Sequence, residues 1–185
     1  MRFLIFSIIA LISSVALANE PTVTHDFTLN KPFRVVVPLA QAHAKLLAKQ
    51  IGGEVLSQSV DKVSVNLDFI NKDHSITIFR QKKIKVKIPG GETTTVEYEE
   101  NTVMRSNQIV TTTTLIEKND FIQYSKSVIE FNRIDGKTEV NMKMWIRIKG
   151  GKSFWVRIIS RVKLKRFEEK IREIVGDPLP EETED

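Results

Sequence analysis

Apolar and polar positions alternate with a period of two through the middle of this chain and change to a helical period near its ends. The clearest two-fold alternation lies at Val140, Met142, Met144, Ile146 and Ile148, set against Glu139, Asn141, Lys143, Trp145 and Arg147. A period of two puts successive side chains on opposite faces, which predicts a half-buried strand. Val63, Val65, Leu67 and Phe69 alternate with Ser64, Asn66 and Asp68 in the same way. Ile76, Ile78, Ile84, Val86 and Ile88 share one parity. Arg80 and Lys82 interrupt that series, so a bend or bulge is expected there. Thr93 to Glu99 and Ile109 to Glu117 are rich in Thr and β-branched residues, which fit a pleated surface. Phe121 to Ile134 reads as a further strand, Asp135-Gly136 as a two-residue hairpin turn, and Pro89-Gly90-Gly91 as another turn. Val23 to Leu29 is the first strand.

Two stretches read as helix. After the first strand, Asn30 is placed to cap and Pro32 to sit in a first turn. The β-branched run Val35-Val36-Val37 and Pro38 predict a break, giving a short piece near Pro32 to Val36 and a firmer helix from Pro38 to Ile51. Leu39, Ala42, His43, Leu46, Leu47 and Ile51 then share a face, and Gly52-Gly53 stops the helix. From Ser153, a stripe of Phe154, Ile158, Ile159, Val162, Phe167, Ile171, Ile174 and Val175 predicts a helix of about 22 residues. Ser153 is placed to cap it, and Gly176 with Pro178 to end it. At 1.5 Å per residue such a helix is about 33 Å long and needs a wide apolar surface. The expected fold class is therefore α+β: a helix-grip, with a curved antiparallel sheet of about seven strands around a long C-terminal helix and a short broken helix pair after the first strand.

The first eighteen residues stand apart. Arg2 precedes an almost wholly apolar run from Phe3 to Leu17, and Ala16-Leu17-Ala18 offers small residues at the positions a signal peptidase reads. This predicts a signal peptide over 1–18 cleaved before Asn19, one domain over 19–177, an acidic disordered tail over 178–185, and an exported protein. A retained anchor is the alternative. The 185 residues contain no cysteine, which excludes disulfides, thiolate metal sites and thiol nucleophiles. Export without cysteine favours a bacterial periplasm. The formal charge of +5 is concentrated between Arg147 and Arg172, where only Glu168 and Glu169 oppose the bases. Arg157, Arg161, Lys163, Lys165 and Arg166 are candidates to face an anionic membrane, with a solvated helix face as the plain alternative. An exported protein is not expected to meet nucleic acid.

The order of elements resembles the START-like, or SRPBCC, superfamily, which includes polyketide cyclases, lipid-transfer domains and coenzyme Q-binding proteins. The resemblance rests on Phe27 to Ala48 as first strand plus helix pair, the strand Val63 to Phe69, and the ending Trp145 to Val175. In that ending Phe154-Trp155-Val156-Arg157 runs into Leu164-Lys165-Arg166-Phe167-Glu168, which looks like the terminal helix of the cyclase-like branch. The leader and the run Val35 to Val37 depart from the usual pattern. The resemblance implies an apolar molecule held between sheet and terminal helix.

No catalytic, metal or cofactor motif accompanies these patterns. His25, His43 and His74 are not at metal-ligand spacing, and neither a GxSxG nor a phosphate loop occurs. Ile148-Lys149-Gly150-Gly151-Lys152-Ser153 lacks the first glycine of a P-loop. His43, on the apolar helix face, is expected to be buried and hydrogen-bonded or to anchor a ligand. The candidate ligand-binding residues are Val140, Met142, Met144, Ile146, Phe154, Ile158, Val162 and His43, and ordinary core packing is the simpler reading of the two methionines. Trp145 either anchors at a lipid interface or packs on a neighbour. The expected function is a non-catalytic carrier of a hydrophobic, lipid-like ligand. A cyclase- or isomerase-like enzyme using His43 or Arg80, and an envelope assembly protein with a filled core, are the alternatives.

Overall fold

The structure is a computed structural model that describes residues 20–51, 54–68, 73–87, 93–150 and 153–179. The expected leader, the glycine stop at 52–53, the turn at 89–91, the side chain of Ser153 and most of the expected tail lie outside the described residues.

Among the described residues, seven strands and three helices follow in the order β1 (Val23–Leu29), α1 (Phe33–Ala42), α2 (Ala44–Ile51), β2 (Glu54–Asp68), β3 (Asp73–Lys87), β4 (Thr93–Met104), β5 (Gln108–Leu115), β6 (Ile122–Ile134), β7 (Lys137–Ile148) and α3 (Ser153–Val175). The strands form one antiparallel sheet in the order β1-β7-β6-β5-β4-β3-β2. Each of β2 to β7 pairs with its neighbour in sequence, and β1 closes the order by pairing with β7, Phe27 opposite Val140. The hairpin at Asp135-Gly136 forms as its residues predict. Gly136 sits at φ +79°, in the left-handed region that such a turn requires.

The helix pair breaks at His43 and not at Pro38. Pro38 lies inside α1 and removes one backbone donor. Burial of Val36 and Ala40 on one face holds α1 together through that loss. His43 closes α1 by donating its N–H to the Leu39 carbonyl, and its own carbonyl accepts from Leu46 and Leu47 to start α2. At this junction the His43 side chain is exposed, which corrects the expectation of a buried histidine. Asn30 does not cap α1, whose N-cap is Pro32 without a side-chain bond.

α3 crosses β1 and β7 and packs against α1 and α2. Its buried line is Val156, Ser160, Leu164, Phe167, Ile171 and Val175. The expected stripe is thus half right. Phe167, Ile171 and Val175 are in the core, whereas Phe154, Ile159 and Val162 are exposed, because they lie off the helix face that carries the buried Val156, Ser160 and Leu164. Leu164, Phe167 and Ile171 share the main core with Phe27, Leu29, Val36, Phe131, Val140, Met142 and Met144. A second cluster of Ile84, Val96, Tyr98, Leu115 and Ile122 lies further along the sheet.

Gly176, at φ +64°, ends α3 in a left-handed turn. The Gly176 N–H donates to the Glu173 carbonyl and the Asp177 N–H to that of Arg172, a Schellman arrangement.

Candidate functional site

Registers across the sheet place the helix-facing side chains in rows. One row runs Val63, Ile78, Thr102, Thr111, Ile129, Met142, His25, and the next runs Val60, Arg80, Glu100, Thr113, Ser127, Met144, Val23. At the β7 end these rows are covered by α3. At the β2 end they are not: Val60, Val63, Val65 and Leu67 are all more than half exposed, and Ile76 beside them is exposed too. The pattern in β2 therefore marks its face correctly without burying it. On the same side of the sheet, α3 exposes Phe154, Trp155, Ile159 and Val162.

A charged group sits in the middle of this inner face. Arg80 and Lys82 keep the apolar parity of β3 without a bulge; the register shifts lie in β2 instead, at Val55/Ser57 and Val60/Lys62. Both cations reach Glu100 of β4, and its carboxylate is divided between them. Arg80 Nη1 donates to Oε1 at 3.1 Å, and Lys82 Nζ donates to Oε2. Arg80 Nη1 also lies 3.5 Å from Thr102 Oγ1, which is 3.2 Å from Thr111 Oγ1. Glu100 is 7% exposed, so the pairing is well shielded from water. Arg80 Nε is buried and has no partner among the described residues. Nearby, burial pushes the Tyr98 phenol above its usual range, partly offset by a hydrogen bond with Ser125.

A second charged group lies at the opposite end of α3. Arg172, 4% exposed, donates from Nε to Glu168 Oε1 (2.8 Å), from Nη1 to Asp177 Oδ2 (2.7 Å) and from Nη2 to the Thr28 carbonyl (3.0 Å). His25 Nε2 is 2.7 Å from Glu168 Oε2, and the Asn30 N–H donates to Asp177. Every member has a partner, and the group ties α3 to β1. This explains His25, whose sequence neighbour Asp26 is on the other face of the strand. Two open cavities of about 410 and 380 Å³ flank this half of α3, and no strand residue lines either.

The eight ligand-binding candidates divide between core and surface. Val140, Met142 and Met144 are buried in the main core, with Ile146 packed against it, so core packing is what the methionines do here. Phe154, Val162 and His43 are exposed and Ile158 is half-buried. Of the basic candidates, Arg157, Arg161, Lys165 and Arg166 are exposed. Lys163 is half-buried, and desolvation holds its ammonium below the ordinary lysine range. Trp145 packs on a neighbour, with the Lys126 ammonium 5.3 Å from its ring centre. Glu100 is not singled out by the sequence reading. The signal is present: Arg80, Lys82 and Glu100 each occupy a parity otherwise held by apolar or hydroxyl side chains on adjacent strands. His43 and Arg80, the two acid–base candidates, lie on different elements. No group of three or more His, Asp or Glu side chains among the described residues is placed to hold a metal ion. Among the same residues no helix is long and apolar enough to cross a membrane.

This architecture matches solved structures. A START superfamily protein from Mycobacterium smegmatis aligns over 83% of this chain and 96% of its own, at 11% identity and a TM-score of 0.52. TTHA0849 from Thermus thermophilus aligns over the same shares at 13% identity and a TM-score of 0.50. No family model and no curated protein matches the sequence. The chain has the START-like helix-grip fold.

Proposed function

We propose that this protein is an exported, non-catalytic carrier of a hydrophobic, lipid-like molecule, and that the ligand lies in the trough between the inner face of β2 to β4 and the first turns of α3. The observation that carries this reading is the bare apolar surface on both margins. Val60, Val63, Val65 and Leu67 on one side and Phe154, Ile159 and Val162 on the other are exposed, the strand set on the same sheet face whose β7 residues are buried core. Exposed contiguous apolar surface is unfavourable in water and marks a place where something apolar binds. The START-like fold supports the same reading.

The setting follows from the sequence. The leader over 1–18 directs export to a bacterial periplasm. The exposed Arg157, Arg161, Lys165 and Arg166 stand beside Phe154 and Trp155, a composition suited to brief contact with an anionic bilayer where ligand is collected or released. That contact weakens as ionic strength rises past about 0.1 M, where the screening length is about 10 Å.

Native mass spectrometry of the protein purified from its own cells tests the proposal. A co-purifying lipid or isoprenoid, on a chain beginning at Asn19, is the expected result. Ligand-free protein that also takes up no lipid from vesicles overturns it and favours an envelope assembly role.

A further inference from the structure

We infer that Arg80 and Lys82 form an anion-binding subsite in the trough, and that the natural ligand is an amphiphile with a monoanionic head and an apolar chain. This rests on the carrier reading above and adds to it the chemistry of the head group.

Across β2 to β5 the helix-facing rows contain two cations, Arg80 and Lys82, and one carboxylate, Glu100. Glu97 and Glu99, also on β4, point to the other face, where Glu97 pairs with Lys83. Each Glu100 oxygen is already engaged by one cation, so one positive charge is left without a counter-ion. Both cationic side chains are largely shielded, at 23% and 11% exposure. A shielded charge without a partner is costly, and so is a buried donor that bonds to nothing. Arg80 Nε is such a donor. An arriving carboxylate or phosphate oxygen corrects both faults at once, because a guanidinium presents its donors in a fork that matches such groups.

Position supplies the rest of the ligand. Arg80 is flanked in its row by exposed Val60, and the neighbouring row ends at exposed Val63. An anion seated at Arg80 therefore has a chain-length of apolar surface leading away from it toward the β2 edge. Thr102 and Thr111 add hydroxyl groups beside the head position. A neutral isoprenoid or sterol uses the apolar surface alone and leaves the unpaired charge where it was.

Displacement of a fluorescent lipid probe from the full-length protein tests this, using dodecanoate, dodecanol, acetate and inorganic phosphate as competitors. Dodecanoate should compete about tenfold better than dodecanol, a factor that corresponds to one good charge-assisted contact. Acetate and phosphate should not compete at matched concentrations. In Arg80→Gln the dodecanoate advantage should fall to near one while dodecanol is unchanged. In Glu100→Gln, which removes the internal counter-ion, it should grow. Lys82→Gln serves as the second reduction variant should Arg80→Gln lose its thermal transition. Equal competition by dodecanoate and dodecanol in the parent overturns the subsite and leaves the carrier reading standing. A dodecanoate advantage that survives in both reduction variants also overturns it. Competition by acetate or phosphate as strong as by dodecanoate assigns the subsite to a free anion and overturns the amphiphile. Failure of every competitor and of the probe overturns carrier and subsite together.

Discussion

The two halves of the sheet carry the same kind of alternation and meet opposite fates. Met142 on β7 is 0% exposed, whereas Val65 on β2 is 61% exposed, although both point to the helix side. The difference is not in the strands but in what lies over them, since α3 reaches β1 and β7 and no further. An amphipathic period states which face is apolar; it does not state whether the apolar face is a core or a binding surface. Stability should therefore be concentrated in the β1–β7–β6 half and ligand binding in the β2–β4 half.

The severest test removes the cover. A chain ending at Gly150 removes Leu164, Phe167 and Ile171 from the core around Val140, Met142 and Met144, and should lose its cooperative thermal transition and expose surface to hydrophobic dyes. A truncated chain that melts as the parent does would falsify the architecture. A milder test is Met142→Ala, which opens a void in a filled region and should cost about 2–5 kcal/mol in chemical denaturation. Val65→Thr is the matched change in the open half. It should move stability by no more than about 0.5 kcal/mol, as surface substitutions do, while weakening uptake of a lipid probe. Similar stability losses for Met142→Ala and Val65→Thr would erase the distinction between the halves.

Between the last two in size comes Lys163, on the flank of α3. Desolvation lowers its pKa in the folded state below the ordinary value near 10.5. The unfolded chain then binds more protons in the window between the lowered and the ordinary value, so stability rises with pH across that alkaline window. Tyr98 acts in the opposite sense above about pH 10, because its raised folded pKa keeps a proton that the unfolded chain has lost. Lys163→Met should be more stable than the parent at pH 7 and should lack the rise below pH 10. An unchanged pH profile in Lys163→Met would refute this account of the residue.

Most of the fold was legible because it rests on local signals. The period of β7, the turn at Asp135-Gly136 and the change to a helical period after Ser153 each belong to a few consecutive residues. What was misread depends on residues far apart. The choice of His43 over Pro38 as the helix break is settled by the burial of Val36 and Ala40 against distant strands. Which side of α3 is inward is settled by its packing on β1, β7 and the helix pair, which buries Val156, Ser160 and Leu164 and turns Phe154 and Val162 outward. The Arg80–Glu100–Lys82 group needs the register of β3 on β4, which no single strand encodes, and the bulge expected in β3 was displaced to β2 for the same reason. Arg172 was counted only as part of a basic run, since its partners Thr28 and Asp177 come from opposite ends of the domain.

That last arrangement has a consequence for the order of events in folding. Asp177 accepts from Asn30, 147 residues away, and among the described residues β1 pairs only with β7. Loops of that size close slowly, and contacts so distant in sequence lower folding rates. The first segment to emerge thus waits for the last. Until β7, α3 and Asp177 are all present, β1 has an unpaired edge and an uncovered apolar face. Under the export proposed above, a chain still being threaded through a membrane pore cannot lock into its native form, so it stays threadable until its final turn has passed.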